Sequence, residues 1–103
     1  MTTKNTAYKP FNLGQIVATP GVMDTVPGSR LLQCLGRHLC GDWGLVGPED
    51  AASNNEATHE GFRVFSAYPI DPNKPAKGHG ANCLWIITEA DRSVTTFLLP
   101  DEY

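Results

Sequence analysis

The sequence predicts an α+β domain, in which a short N-terminal strand and two or three helices pack on a C-terminal antiparallel sheet of three or four strands. The densest run of β-forming residues lies at 82–88 and 93–99, on either side of a charged turn. Residues 20–60 carry helix-start and helix-stop signals and one apolar stripe at helical spacing. Because 103 residues is the length of one domain, we assign 1–103 to a single domain and expect residues 1–10 to be flexible.

The N-terminal half is expected to form a short extended segment at 11–18, followed by helices. Thr19-Pro20 is typical of a helix start, because the hydroxyl can cap the helix and proline fits its first position. The next helix is predicted over Arg30–Cys40, where leucines recur every four residues. Gly41 is suited to end it in the left-handed conformation. A third helix is expected between Pro48 and Gly61.

The C-terminal half is expected to form three consecutive antiparallel strands. The first covers 62–68, and a long loop rich in proline and glycine separates it from the hairpin of 82–88 and 93–99. In the central strand, 82–88, alternation places apolar side chains on both faces. We therefore expect that the helices do not cover all of this sheet, and that self-association into a homodimer could use the remaining face.

Composition and charge exclude several classes of protein. The net charge is −3, and residues 41–60 contain five acidic residues and no Lys or Arg. There is no broad basic face, so we do not expect direct nucleic-acid binding. No apolar run is long enough to span a membrane and the N-terminus has no signal-peptide pattern, so we expect a cytoplasmic protein.

We expect neither a metal nor another cofactor. Cys34 and His38 have a chelating i, i+4 spacing, but no second chelating pair exists in the sequence. Cys34 also lies on the apolar stripe of its helix, where cysteine usually acts as a small hydrophobic residue.

Polar residues around the last strands are candidates for chemistry. If the chain is an enzyme, Glu, His and Arg side chains could serve acid–base catalysis and stabilise a phosphorane, although the same residues could simply be solvated. The hairpin turn could instead form a polar binding rim, and Trp43 is either a core anchor or part of that surface. The catalytic candidates are His59, Glu60, Arg63, Tyr68, Glu89 and Arg92; the binding candidates are Asp91, Arg92, Thr95 and Trp43.

Several motifs spread over most of the chain carry a family resemblance. They are Phe11-Asn12-Leu13-Gly14-Gln15-Ile16-Val17-Ala18-Thr19-Pro20-Gly21, His38, Gly41-Asp42-Trp43-Gly44, Gly61-Phe62-Arg63, Ser66-Ala67-Tyr68, the run from Trp85 to Thr96, and Leu98-Leu99-Pro100. On these motifs the chain resembles a family of small uncharacterised proteins carried on plasmids and integrative elements of proteobacteria. The resemblance implies a setting of mobile DNA and implies no mechanism.

A second resemblance covers only the hairpin, in Trp85-Ile86-Ile87-Thr88, Asp91-Arg92 and Thr95-Thr96-Phe97. This segment is similar to the last hairpin of barnase-like ribonucleases. Their catalytic histidine follows the aspartate of the turn, whereas Arg92 has that place here, so another group would have to act as the acid.

The leading hypothesis is a small accessory protein of mobile DNA that binds another protein. Acidic small proteins can occupy the basic sites of nucleic-acid-binding enzymes, and an anti-defence role would use this property. The alternative is a metal-independent ribonuclease toxin.

Overall fold

The computed structural model describes residues 7–103 and confirms the α+β class. We expect residues 1–10 to be flexible, and residues 1–6 of this segment lie outside the described residues. The elements are β1 (Gln15–Ala18), α1 (Pro20–Thr25), α2 (Gly28–Leu39), α3 (Pro48–Glu60), β2 (Val64–Tyr68), β3 (Leu84–Thr88), β4 (Val94–Leu98) and a 3₁₀ turn at Pro100–Glu102.

The four strands form one mixed sheet in the order β1-β4-β3-β2. The β2–β3 and β3–β4 pairs are antiparallel as predicted. The expectation of a purely antiparallel sheet is wrong, because β1 pairs with β4 in parallel. The physical reason is that the connection from β1 to β4 is long: it runs through three helices and then β2 and β3, and it returns the chain in the same direction as β1, as parallel neighbours require.

The helix boundaries follow the local signals closely. The Thr19 hydroxyl accepts a hydrogen bond from the Val22 N–H and caps α1, and Pro20 occupies its first turn. Gly41 (φ +77°) follows α2 and Gly61 (φ +81°) ends α3, both in the left-handed conformation. The second helix begins at Gly28 and ends at Leu39, so it starts two residues earlier than predicted, directly after Pro27.

The helices cover one face of the sheet, which we call the inner face. Because side chains alternate along a strand, Ser66, Ile86 and Phe97, which lie in register, share this face. The main core cluster joins inner-face residues to Val22 of α1 and Cys34 of α2, both fully buried. The opposite, outer face carries Phe65, Trp85, Ile87, Thr96 and Leu98.

The free edge of β2 is blocked by the rest of the chain. The Asn54 side chain of α3 donates to the Phe65 carbonyl and accepts from the Phe65 N–H, at 2.6 and 3.0 Å. Next to it, the Ala67 N–H donates to the Trp43 carbonyl and the Ala67 carbonyl accepts from the Leu45 N–H. Gly44 (φ +74°) allows this close approach, since a Cβ there would overlap the Ala67 carbonyl.

Candidate binding surface

The hairpin turn is tied to the end of α3 by Arg92. This residue has a left-handed backbone (φ +59°), and its guanidinium donates to the carbonyls of Ala57, Phe62 and Glu89 at 2.6–3.0 Å. The guanidinium also lies 5.5 Å from the centre of the Phe11 ring. Burial lowers the pKa of Arg92. Arg92 therefore acts as a cation at the C-terminal end of a helix, where it binds backbone carbonyls.

The other catalytic candidates lie in separate environments. His59 is exposed and its Nε2 is 2.9 Å from the Ala7 carbonyl. The Tyr68 hydroxyl donates to the Asp42 carbonyl at 2.8 Å, and burial raises the pKa of this buried tyrosine. Arg63 lies on the outer face, and Glu60 is exposed at the end of α3. Within residues 7–103 the one ion pair is Arg37–Asp42, so no described salt bridge joins a candidate carboxylate to a candidate His or Arg.

The turn candidates also have internal partners. Asp91 accepts from the Ser93 N–H at 3.0 Å, and hydrogen bonds with Ser93 lower the pKa of Asp91. Trp43 is 4 % exposed, and its Nε1–H donates to Asn55 Oδ1 at 2.9 Å. Thr95 is fully buried. Trp43 is thus a core residue, which agrees with the first of its two sequence interpretations.

A buried histidine organises the polar part of the inner face. His38 Nδ1 is 2.6 Å from Ser66 Oγ, and its Nε2 is 2.9 Å from Thr88 Oγ1. Thr88 Oγ1 is in turn 2.8 Å from Thr95 Oγ1, and the Thr95 hydroxyl donates to the Leu13 carbonyl at 2.7 Å. All four side chains are completely buried. This network joins α2 to β2, β3, β4 and the segment that precedes β1.

The hydrogen bonds determine the tautomer of His38. A carbonyl can only accept, so the single Thr95 proton is committed to Leu13, and Thr88 must donate to Thr95. The Thr88 oxygen then accepts from His38, so Nε2 carries the ring proton and Nδ1 accepts from the Ser66 hydroxyl. Burial, and secondarily the charge of Arg92, lower the pKa of His38 to about 4, so the ring is neutral at pH 7. Since Ser66 and His38 are both sealed from solvent, this pair holds the fold together and is not open to a substrate.

The outer face carries a solvent-accessible group of aromatic rings and an arginine. The Phe65 and Trp85 rings meet edge to face at 4.9 Å, and Trp85 and Tyr103 do so at 5.7 Å. The Arg63 guanidinium lies 5.9 Å from the centre of the Tyr103 ring and donates to its hydroxyl at 3.0 Å. We call Arg63, Phe65, Trp85 and Tyr103 the aromatic cluster. With Ile87, they line an open cleft of about 340 Å³.

The loop between β2 and β3 adjoins this cluster and fixes its tryptophan. The Trp85 Nε1–H donates to the Gly78 carbonyl at 2.8 Å, so the polar edge of the indole is satisfied within the protein. Asn82 holds the base of the loop through bonds to the backbone of Asp71, Lys74 and Pro75. Two further depressions, of about 440 and 500 Å³, are lined by 75–82 and by Leu99–Asp101 together with Gly80 and Ala81. These two depressions share Gly80 and Ala81 of the loop.

Only part of this surface was predictable from the sequence. Arg63 was a candidate for catalysis, and apolar residues were expected on both faces of the central strand. Tyr103 was missed, because no periodic pattern connects a residue after the last strand with the sheet. The signal that could have indicated the cluster is the alternation that places Trp85 on the face opposite Leu84 and Ile86.

Comparison with known proteins gave no match, either to a protein-family model, to a curated protein or to a solved structure. Within residues 7–103 no three His, Cys, Asp or Glu side chains are grouped so that they could hold a metal ion. None of the helices in the same range is long and apolar enough to cross a membrane.

Proposed function

We propose that this protein is a protein-binding module and that the aromatic cluster is its contact surface. The observation that carries the proposal is the grouping of Arg63, Trp85 and Tyr103 around an open cleft on the outer face of the sheet. Tryptophan, tyrosine and arginine are the residue types that most often dominate the energy of protein interfaces.

The chemistry of the cluster indicates what the partner presents. The lining of the cleft is largely apolar, with Phe65, Trp85 and Ile87, so it suits an apolar side chain. Arg63 is exposed and uses one described hydrogen bond, to Tyr103, which leaves most of its five N–H groups for a ligand. Lys74 and Lys77 are exposed on the adjoining loop. We therefore propose a partner segment that places an apolar side chain in the cleft and a carboxylate on Arg63.

The rigidity of the cluster also favours binding. Phe65 and Trp85 lie on paired strands, and the indole is fixed by Gly78, so little side-chain entropy is lost when a partner covers them. The mobile-DNA setting that the family resemblance implies suggests host enzymes, including those that act against foreign DNA, as the class of partner to test first.

The experiment is a quantitative capture from host lysate, followed by affinity measurement on the purified partner. The test variants are Arg63→Ala and Tyr103→Ala, because both side chains are exposed and their loss leaves the core intact. The matched control is Leu32→Ala, an exposed apolar residue of α2, which packs on the inner face. We expect a partner that binds the wild type and the control equally and each test variant about 30-fold more weakly, as for loss of a residue worth about 2 kcal/mol. Equal binding by all four proteins would refute the proposal.

The ribonuclease hypothesis has a separate test. Its candidate residues lie in different environments, and Arg92 is committed to three backbone carbonyls. We expect the purified protein to leave RNA intact. Cleavage that is lost in Glu60→Gln, at an exposed candidate position, but kept in Lys74→Ala would favour the enzyme over the binding module.

A further inference from the structure

The two edges of the sheet are treated differently by the chain. The β2 edge is closed by Asn54 and by the segment that follows α2, as described above. The β1 edge has no comparable cover within the described residues: Gln15 is exposed and the Ile16 side chain is 48 % exposed. An edge strand left open in this way can pair with another strand.

The orientation of the open groups follows from the pairing with β4. The Gln15 N–H donates to the Ser93 carbonyl and the Thr19 N–H donates to the Phe97 carbonyl, so these odd-numbered groups point into the sheet. Along a strand the direction alternates, and the N–H and C=O of Ile16 and Ala18 therefore point outward. Neither residue has a described backbone partner on that side within residues 7–103.

Apart from its short length, β1 lacks the features that normally protect an edge strand. Natural edges carry lysine, proline, a bulge or an inward-pointing charge. The sequence of β1 is Gln-Ile-Val-Ala, with no charge and no proline inside the strand. Within residues 7–103 the chain covers the β2 edge and leaves the β1 edge open.

We propose that β1 pairs antiparallel with β1 of a second copy, which gives a two-fold symmetric dimer with a continuous eight-stranded sheet. An antiparallel pair centred on Val17 sets Ile16 opposite Ala18 of the other copy, and the same pair recurs through the symmetry axis. All outward groups of both residues are then satisfied by four hydrogen bonds.

The β1 edge is a surface where charge does not oppose a second copy. The chain carries −3 overall, so two copies repel each other at acidic surfaces such as α3, whose exposed side includes Glu49, Asp50 and Glu56. An isologous interface brings identical residues together, and the four residues of β1 carry no charge, so no like charges of the strand itself meet. Because a four-residue strand contributes a small interface, the dimer is weak and depends on concentration.

The experiment measures the mass of the full chain by sedimentation equilibrium over micromolar to millimolar concentrations. Ile16→Lys places a charge beside the symmetry axis, and Ile16→Pro removes an outward N–H that β4 does not use. Met23→Lys is the matched control, since it makes the same charge change at a residue of α1 that is 67 % exposed. We expect the wild type and the control to dimerise alike, and both Ile16 variants to have a dimer Kd at least about tenfold higher.

Amide hydrogen exchange identifies the surface independently. In the wild type, exchange at Ile16 and Ala18 should slow as concentration rises, whereas exchange at Val17 should be slow throughout because its N–H lies inside the sheet. A chain that stays monomeric, a dimer that persists in both Ile16 variants, or exchange at Ile16 that does not change with concentration would each overturn the proposal. Pairing of β1 with an extended peptide of another protein, while the chain itself stays monomeric, would also overturn it.

Discussion

Protonation of His38 is expected to destabilise the folded protein as the pH falls below about 6.5. The folded-state pKa is about 4 and the ordinary value is 6.5, so between these limits the unfolded chain binds more protons than the folded one. Stability therefore rises with pH across this window, is fully present above pH 6.5 and is lost progressively down to pH 4. A difference of about 2.5 pKa units corresponds to about 3 kcal/mol of unfolding free energy.

The assay is urea unfolding of the wild type and of His38→Gln at several pH values from 7 to 4. Glutamine keeps one donor and one acceptor but cannot titrate, and carboxylates such as Asp42, whose pKa is lowered chiefly by its hydrogen bond to Arg37, contribute equally to both proteins. We expect the difference in unfolding free energy between the two proteins to shrink by about 3 kcal/mol as the pH falls. His79→Gln, at an exposed position, should keep the wild-type dependence. Parallel pH profiles for the wild type and His38→Gln would refute the reasoning.

Three further substitutions test the elements that position the sheet, each by urea unfolding at neutral pH. Asn54→Ala removes both hydrogen bonds that close the β2 edge and should cost about 2 kcal/mol, whereas the exposed neighbour Ser53→Ala should change stability by less than about 0.5 kcal/mol. Arg92→Lys replaces the planar guanidinium, which binds three carbonyls, by an ammonium that cannot reach all three, and should lower the free energy of unfolding by about 1–3 kcal/mol. An unchanged urea midpoint would contradict the role assigned to this residue. Gly44→Ala should destabilise by more than about 1 kcal/mol because of its positive φ and the overlap described above, whereas Gly36→Ala, in an open helix position, should stabilise by about 1 kcal/mol.

Helix starts and ends could be predicted because the groups that determine them are close in sequence. Thr19 caps α1 by accepting a hydrogen bond from the N–H of Val22, three positions later. Gly41 and Gly61 end helices through their own backbone conformation. Gly36 illustrates the limit of such reasoning. Close packing would have explained a glycine inside α2, but nothing lies near the position that its Cβ would occupy.

The direction of β1 could not be predicted, because its partner strand lies more than seventy residues away. A short strand such as β1 can pair equally well with a parallel or an antiparallel neighbour, and only the path of the intervening chain determines which of the two pairings forms. The His38 network was missed for a similar reason. His38 was considered as a metal ligand from its spacing to Cys34, whereas its partners, Ser66 and Thr88, lie 28 and 50 residues away on different strands.

The candidate surface was predictable only in outline. An apolar outer face follows from strand alternation, since Trp85 must lie opposite Ile86. That Arg63 belongs to this face rather than to a cleft with His59 depends on its contact with Tyr103, which is forty residues away. The charged turn was the expected centre of any site, but its arginine points inward to backbone carbonyls.

The two proposals together lead to a last prediction, which concerns partners that offer two binding segments. In the β1–β1 dimer the symmetry axis is perpendicular to the sheet, so both aromatic clusters lie on the same side. Each β3 is separated from β1 by β4, so five strand spacings, or about 24 Å measured across the strands, lie between the two copies of β3. A partner that presents two copies of its segment on a linker of that reach should gain affinity through a high effective concentration. Ile16→Lys should abolish this gain and leave the affinity for a single segment unchanged, whereas Arg63→Ala should weaken both. Equal losses for one and two segments in Ile16→Lys would show that β1 acts on the cluster directly and not through dimerisation.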